Sequence, residues 1–212
     1  AGATVAARIR RLDKDVKIVI LEKGHYVSYA NCGLPYYVSN QISQKDDLLL
    51  MTPQLFNERF QIDVRVGNEV TNIDNKNKVV EVYDHLTNKS YQEKYDKLII
   101  ATGSSPVKLP IKGIKSNKIF QLWTFNDFDK IKREVTTKNI KSACIIGGGF
   151  VGIETAENLI DLKVNVDLIE KSNQILNNLD YEMIQPIQKK LIDSGVNLYL
   201  NTELEEFVDL EN

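Results

Sequence analysis

The segment Ile145-Ile-Gly-Gly-Gly-Phe-Val-Gly-Ile-Glu154 carries a G-x-G-x-x-G pattern at Gly147, Gly149 and Gly152. It follows an apolar, β-branched run that reads as a strand, and it opens a helical pattern. Gly147 would permit a tight turn, Gly149 would let the backbone approach a pyrophosphate, and Gly152 would let the helix pack closely on the strand. The segment therefore predicts a dinucleotide-binding turn.

An acidic residue completes this pattern. Glu170 ends the next predicted strand, 21 positions after Gly149. Its carboxylate would accept hydrogen bonds from an adenine-ribose diol and repel a 2′-phosphate, which favours NADH over NADPH. The adjacent Lys171 leaves NADPH open. The helix start at Phe150 and Val151 would present N–H groups to the phosphates.

The N-terminus looks like part of a second unit of this kind. Gly2 precedes a helix of small residues, and the strand after that helix ends in Glu22, 20 positions after Gly2. This is a βαβ pattern that lacks its first strand and first glycines. Taken alone, this pattern is weak evidence for a nucleotide-binding unit, because a helix, a strand and a glutamate occur together in many proteins.

The rest of the chain alternates strands and helices. Short apolar runs predict buried parallel strands at 17–21, 97–101, 142–146 and 165–169. Helices are predicted at 4–12, from Thr52-Pro53 onward, and at 126–135, 151–162 and 180–194. Alternating patterns predict antiparallel strands at 64–66, 69–73 and 79–83. The prediction is an α/β fold with two Rossmann-like units of the three-layer ββα type and a β-meander in the first. The predicted domains are 1–113 and 114–212.

Composition excludes several functional classes. The chain has 212 residues, and 27 basic against 29 acidic side chains give a net charge of −2, which disfavours bulk binding to nucleic acid. No apolar run reaches the ~18–20 residues of a membrane span, and no signal peptide is visible. Cys32 and Cys144 form neither a CxxC pair nor a metal cluster. We expect no metal and a reducing cytoplasm.

The two cysteines receive different interpretations. Cys32 stands in Ser28-Tyr-Ala-Asn-Cys-Gly-Leu-Pro-Tyr-Tyr37. A helix that starts here would lower the pKa of the thiol from about 8.5 into the reactive range. Ser28 and Asn31 could donate hydrogen bonds to the thiolate or its adduct. The alternative is a small buried thiol without a role, and that is our interpretation of Cys144, which lies in an apolar strand.

Together these residues resemble the flavin- and pyridine-nucleotide-dependent disulfide reductases, over essentially the whole chain. Dithiol members carry a second cysteine where this chain has Tyr37, so Cys32 stands alone, as in the single-cysteine branch. That branch holds coenzyme A-disulfide reductases, persulfide reductases, NADH peroxidases and NADH oxidases. Within that branch, the pattern with Asn31 before the cysteine and Leu34-Pro35 after it resembles the pattern of the coenzyme A-disulfide and persulfide reductase group.

The resemblance implies three sets of binding residues. For FAD they are Gly2, Glu22, Lys23, Val70, Ala101, Thr102 and Gly103. For NAD(P)H they are Gly147, Gly149, Phe150, Val151, Gly152, Glu154, Glu170 and Lys171. For coenzyme A they are Thr4, Arg8, Arg11, Ser28 and Asn31. Phe150 would shield the flavin until the nicotinamide arrives, unless it only packs, and Glu154 would help to order the nicotinamide site.

The implied catalytic residues are Cys32, Ser28 and Asn31. In the resting state Cys32 would be bonded to coenzyme A as a mixed disulfide. Hydride would pass from NAD(P)H to the flavin, electrons would pass to the mixed disulfide, and the coenzyme A thiol would leave. Phe60 replaces a polar residue that contacts coenzyme A in some members.

Two alternatives stay open. The same scaffold could reduce oxygen or peroxide through a Cys32 sulfenic acid. A flavoprotein that only relays electrons, or a nucleotide-binding regulator, would need no cysteine signature. Family members are much longer, so the resemblance also implies that this chain is a fragment that is inactive alone. It further implies a homodimer formed through a C-terminal domain that the sequence lacks.

Overall fold

The computed structural model describes residues 1–107 and 109–209. The chain divides into two compact units. The first comprises Ala1–Ala30 and Leu49–Ser104, and the second comprises Asn31–Leu48 and the residues from Ser105 onward. These units differ from the predicted domains 1–113 and 114–212, which remain a prediction. The segment that carries Cys32 thus groups with the second unit.

Six helices and ten strands occur in the described residues. The helices are α1 (Gly2–Leu12), α2 (Leu34–Val38), α3 (Pro53–Phe60), α4 (Phe125–Thr137), α5 (Phe150–Asp161) and α6 (Tyr181–Asp193). The strands are β1 (Val19–Glu22), β2 (Ser28–Tyr29), β3 (Leu49–Met51), β4 (Asp63–Val66), β5 (Asn68–Asp74), β6 (Val79–Asp84), β7 (Lys89–Lys94), β8 (Ser142–Ile146), β9 (Asn165–Ile169) and β10 (Val196–Tyr199). Short 3₁₀ turns lie at Asn31–Gly33 and Lys45–Leu48.

The first unit combines a parallel strand pair with an antiparallel meander. β1 pairs parallel with β4, and β5, β6 and β7 follow one another as an antiparallel sheet. Helices α1 and α3 bury Ala6 and Phe56 together with Ile62, and Ile20 of β1 packs against this cluster. Burial of such apolar side chains is the main source of stability for the unit. A meander in this unit is confirmed, but its third strand is β7 and was not predicted.

The second unit is a parallel β-α-β arrangement. Its strands lie in the order β10-β9-β8, and both neighbouring pairs are parallel. Helix α5 connects β8 to β9, and α6 connects β9 to β10. Val166 and Leu168 of β9 are fully buried, as expected for the central strand. Helix α2 packs against α4 and α5.

The predicted helices form close to their predicted limits. Thr52 caps α3, because its hydroxyl oxygen accepts a hydrogen bond from the Leu55 N–H at 3.2 Å. Helix α6 begins at Tyr181 and continues through Pro186. Gly195 follows it with φ +99°, a conformation that glycine adopts without strain.

Several sequence predictions were wrong. Residues 97–101 form no strand, because they share no hydrogen-bonded ladder with any described strand, and Ile100 is 67% exposed. The segment 64–66 belongs to β4, which pairs parallel with β1 instead of joining the antiparallel meander. Cys144 is exposed, because it shares one face of β8 with Ser142 and Ile146, which are exposed as well, whereas Ile145 points to the buried face.

Candidate functional site

The glycine loop between β8 and α5 has the geometry that the sequence predicts. Gly147 has φ +106°, and its N–H donates to the Ile169 carbonyl at 2.8 Å. A Cβ on Gly152 would lie 2.2 Å from the Gly147 carbonyl oxygen, so only glycine permits the helix to approach this closely. A Cβ on Gly149 would meet nothing within 4 Å. The space in front of Gly149 is thus open to a ligand.

The carboxylate of Glu170 lies against this loop. One oxygen accepts a hydrogen bond from the Gly148 N–H at 2.7 Å, and the other accepts one from the Ser172 N–H at 2.7 Å. Burial raises the pKa of Glu170, but the hydrogen bonds from Ser172 and Gly148 outweigh it and leave the pKa below its usual value. Glu170 is therefore a carboxylate at neutral pH, held at the edge of the glycine loop.

The other predicted NAD(P)H residues lie on or near α5. Phe150 is 58% exposed, so its ring does not serve ordinary core packing, and Val151 is exposed as well. Glu154 is half-buried, and burial together with the negative charge of Glu157 raises its pKa. The Lys171 Nζ lies 2.7 Å from a carboxylate oxygen of Glu203, so the two side chains form an ion pair.

We expect the free energy of unfolding to depend on Glu170 below neutral pH. Because the folded-state pKa is lower than the ordinary value of 4.5, the carboxylate stabilises the fold above that pH and ceases to do so as pH falls below it. Urea unfolding at about pH 6 and about pH 3.5 should show a smaller loss of stability in Glu170→Gln than in the wild type. The exposed carboxylate of Glu203 supplies a control variant, Glu203→Gln. Equal losses in wild type and Glu170→Gln would contradict this expectation.

The predicted FAD residues all fall in the first unit. A Cβ on Gly2 would lie 3.3 Å from the Ala101 Cβ, so the start of α1 and the Ala101 loop are in close contact. Glu22 ends β1, and its carboxylate accepts a hydrogen bond from the Gly24 N–H at 2.6 Å. The structure thus brings the start of α1 and the loop of small residues together, and Glu22 ends a strand of the same unit.

The remaining members of this set are exposed. The Lys23 Nζ lies 2.6 Å from a carboxylate oxygen of Glu69 and forms an ion pair with it. The hydrogen bond that Lys23 donates is the main cause of the lowered pKa of Glu69. Val70 lies on β5 and is 38% exposed. Thr102 and Gly103 are exposed in the loop after Ala101, and Gly103 has φ +72°.

Cys32 lies in the 3₁₀ turn Asn31–Gly33, directly before α2. Cys32 and Asn31 are both exposed, so the alternative of a small buried thiol is wrong for Cys32. Leu34 and Pro35 are buried and anchor the start of the helix. Ser28 lies on β2 of the first unit and is half-buried.

Tyr37, the residue in the place of a second cysteine, fixes α2 against α4. Its side chain is 7% exposed, and its hydroxyl donates to an Asp129 carboxylate oxygen at 3.3 Å. The Lys132 Nζ lies 3.6 Å from the centre of the ring, a cation–π contact. Burial, together with Asp129, raises the pKa of Tyr37, so the phenol stays neutral. Tyr37 therefore has a structural role.

The predicted coenzyme A residues of α1 share one face. Thr4, Arg8 and Arg11 are spaced four and three residues apart and are all exposed. Neither Arg8 nor Arg11 has a hydrogen bond or ion pair within the described part of the chain. Arg10 differs, because its Nε donates to the Phe60 carbonyl at 2.7 Å. Two guanidinium groups on α1 are thus free to bind phosphate.

Sequence reasoning missed two backbone donors, Gly148 and Ser172. Both bond the Glu170 carboxylate, and a serine two positions after a strand-end glutamate is the signal that could have indicated the turn. Among residues 1–107 and 109–209, no group of histidine, cysteine, aspartate or glutamate side chains could hold a metal ion. No helix in those residues is long and apolar enough to cross a membrane.

Comparison with known proteins gives consistent matches. The family model described as pyridine nucleotide-disulphide oxidoreductase matches residues 1–212. Coenzyme A disulfide reductase of Staphylococcus haemolyticus (strain JCSC1435) is 37% identical over 203 residues, which is 96% of this chain and 46% of that protein. The crystal structure of reduced Bacillus anthracis CoADR-RHD superposes with a TM-score of 0.93 at 37% identity, over 96% of this chain and 37% of that one.

A third similar protein is a NAD-dependent persulfide reductase from A. fulgidus. Its structure gives a TM-score of 0.91 at 35% identity, over 97% of this chain and 38% of that one. The chain therefore spans less than half the length of each of these proteins. The predicted α/β fold with Rossmann-like units and the family resemblance are confirmed. The chain belongs to the pyridine nucleotide-disulphide oxidoreductase family.

Proposed function

We propose that the full-length protein is an FAD-dependent NAD(P)H oxidoreductase that reduces coenzyme A disulfide or coenzyme A persulfide. The observation that carries this proposal is the exposed thiol of Cys32 at the start of α2, within the sequence Ser28-x-x-Asn31-Cys32-Gly-Leu-Pro. The coenzyme A-disulfide and persulfide reductases that resemble this chain support the choice of substrate.

Each nucleotide has a set of residues that fits it. Gly2, Glu22 and the Ala101 loop suit FAD, because small residues admit the cofactor to the backbone and the carboxylate can bind a ribose diol. Gly149 and Glu170 suit NAD(P)H for the same reasons. When bound, FAD would supply the transfer of two electrons from the nicotinamide to a disulfide.

Cys32 would carry the disulfide chemistry. Its thiolate attacks one sulfur of coenzyme A disulfide, so that a Cys32–coenzyme A disulfide forms and one coenzyme A thiolate leaves. Two electrons, supplied ultimately by NAD(P)H, then break that bond and return the Cys32 thiolate and a second coenzyme A thiol. Ser28 and Asn31 would donate hydrogen bonds to the thiolate or to the adduct. Homodimer formation and a cytoplasmic location belong to the same proposal.

Intact mass tests this proposal directly. Full-length protein is purified without reductant, and its mass is measured before and after dithiothreitol. Because Cys144 is also exposed, the adduct must be located by peptide mapping and compared with Cys144→Ser. An addition the size of coenzyme A on Cys32, removed by dithiothreitol, would support the proposal. Only one or more oxygen atoms on Cys32 would favour an NADH oxidase or peroxidase with a sulfenic acid.

The basic face of α1 gives a second test. We expect the double substitution of Arg8 and Arg11 by glutamine to raise the KM for coenzyme A disulfide about tenfold to a hundredfold, because each guanidinium–phosphate contact is worth about tenfold. The melting temperature should not change. Arg10→Gln is the matched control, since it removes the bond to the Phe60 carbonyl and should lower stability by about 1 kcal/mol without changing the KM. An unchanged KM in the double variant would remove these arginines from the coenzyme A site.

We also propose that NADH is the preferred nucleotide. The Glu170 carboxylate would repel a 2′-phosphate, and Lys171 is paired with Glu203. We expect kcat/KM for NADH to exceed that for NADPH by about tenfold or more, as one charge repulsion of about 1.4 kcal/mol requires. Steady-state rates with both nucleotides measure this ratio, and a preference for NADPH would overturn the assignment.

A further inference from the structure

Helix α5 contains a buried side-chain amide, and the donor that satisfies its oxygen lies outside the helix. Asn158 is 0% exposed, and its Nδ2 donates to the Glu154 carbonyl at 2.7 Å. Its Oδ1 accepts a hydrogen bond from the Ser39 hydroxyl at 2.5 Å. A buried amide oxygen is costly to leave without a donor, so the bond from Ser39 satisfies a real requirement of α5.

Ser39 connects this amide to the cysteine segment. It follows the last residue of α2 and stands seven positions after Cys32. Its hydroxyl also lies 3.1 Å from the Tyr36 carbonyl, so the side chain sits against the end of α2 as well as against α5. Helix α2 is short, and its Leu34 and Val38 are buried. Because of this, fixing the C-terminal end of α2 at Ser39 restrains the segment from Cys32 to Ser39 as a whole.

The same helix carries predicted nucleotide residues. Helix α5 begins at the glycine loop, and Glu154 lies one turn before Asn158. Tyr36 of α2 lies close enough that burial, together with the charges of Glu157 and Glu154, raises its pKa. Asn31–Leu48 groups with the second unit, in which α2 packs against both α4 and α5.

We propose that Ser39 and Asn158 are a positioning pair that fixes the Cys32 segment on the nucleotide helix α5. Neither residue is catalytic. The pair holds Cys32 in one place relative to the helix that begins at the glycine loop, so that the thiol is presented in one geometry during turnover. The effect on turnover rests on the proposed function, whereas the restraint on α2 does not.

Four variants of the full-length protein test the pair. Ser39→Ala removes the hydroxyl, and Ser39→Thr retains it. The double variant Ser39→Ala with Asn158→Leu removes both polar partners, so that no buried amide is left without a donor. Gln41→Ala is the matched control, because Gln41 also bonds α5, through Asp161 at 2.9 Å, but in an exposed position.

Hydrogen exchange tests the restraint whatever the substrate. We expect amides of residues 34–42 to exchange at least about tenfold faster in Ser39→Ala, while β9 and α6 keep wild-type rates, as a local opening requires. Ser39→Thr and Gln41→Ala should resemble the wild type. Unchanged exchange in Ser39→Ala, or faster exchange across the whole unit, would overturn the proposal.

Turnover of coenzyme A disulfide tests positioning. We expect kcat to fall about five- to tenfold in Ser39→Ala with the KM for NADH within about twofold, the pattern of a lost geometric constraint. Ser39→Ala should also lower the melting temperature, because the buried Asn158 Oδ1 loses its donor. The double variant should regain the wild-type melting temperature but keep the low kcat. If the double variant recovers both the wild-type melting temperature and the wild-type kcat, the pair only stabilises the fold, and the proposal is overturned. If the wild type itself does not reduce coenzyme A disulfide, the proposed function fails, and exchange alone decides on the restraint.

Discussion

Replacement of Cys32 by serine should lower the reduction of coenzyme A disulfide by at least about a thousandfold. A serine hydroxyl is not ionised near neutral pH and cannot form a disulfide, so the variant cannot exchange with the substrate. Binding of FAD and of NADH should persist, because their predicted residues do not include Cys32. The loss should therefore appear in kcat, with the flavin spectrum and the nucleotide affinity unchanged.

Cys144→Ser is the appropriate control for this experiment. Both thiols are exposed, so exposure alone does not distinguish them. Although the residue is exposed, partial desolvation of the Cys144 thiol, together with the nearby Asp167, raises its pKa, so less of it is thiolate at neutral pH. We expect Cys144→Ser to retain turnover within about twofold. Full activity in Cys32→Ser would show that the electrons do not pass through this thiol. If the wild type instead oxidises NADH without reducing coenzyme A disulfide, and Cys32→Ser leaves that rate unchanged, a flavoprotein that only relays electrons is favoured.

The features that sequence predicts well depend on local rules. The glycine loop needs a positive φ at Gly147 and a close approach at Gly152, and only glycine meets both conditions. Thr52 followed by Pro53 starts a helix for equally local reasons. Because such requirements are met by a few neighbouring residues, the short motifs of the second unit are enough to outline its β-α-β arrangement.

Features that depend on distant neighbours are not predictable in this way. The apolar run 97–101 reads as a strand, but a strand also needs a partner beside it, and none of the described strands supplies one. The apolar pattern around Cys144 indicates a strand buried on both faces, yet in the described residues only the face of β8 that carries Ile145 is buried, and Cys144 points to the other face. The sequence of one strand does not specify which of its faces another element covers.

The contacts around the cysteine segment show the same limit. Ser39 and Asn158 are 119 positions apart, and neither belongs to a motif that chemistry would single out. Sequence identifies Tyr37 only as the place of a missing cysteine, whereas its ring packs beneath Lys132 of α4. Sequence thus supplies the hypothesis that Cys32 is the reactive thiol, whereas the contacts of Ser39 with Asn158 and of Tyr37 with Lys132 form only in the folded chain.

Alanine substitutions at Gly152 and Gly149 should have different effects on stability and the same effect on nucleotide binding. In Gly152→Ala the new Cβ would lie 2.2 Å from the Gly147 carbonyl oxygen, a backbone atom that must move. We expect the free energy of unfolding to fall by about 3 kcal/mol, the upper range for overpacking. Displacement of the loop should also weaken NADH binding at least about a hundredfold, which corresponds to about 2.7 kcal/mol.

In Gly149→Ala the new methyl group would meet no atom of the protein within 4 Å, and the backbone at φ −78° and ψ 177° suits alanine. Stability should therefore stay within about 1 kcal/mol of the wild type. Binding of NADH should nevertheless weaken about a hundredfold, because the methyl group occupies the space through which a pyrophosphate approaches the backbone. Urea unfolding and fluorescence titration with NADH measure the two quantities separately. A Gly149→Ala variant that binds NADH as the wild type does would show that the pyrophosphate does not lie against this glycine, and the assignment of the nucleotide site would have to change.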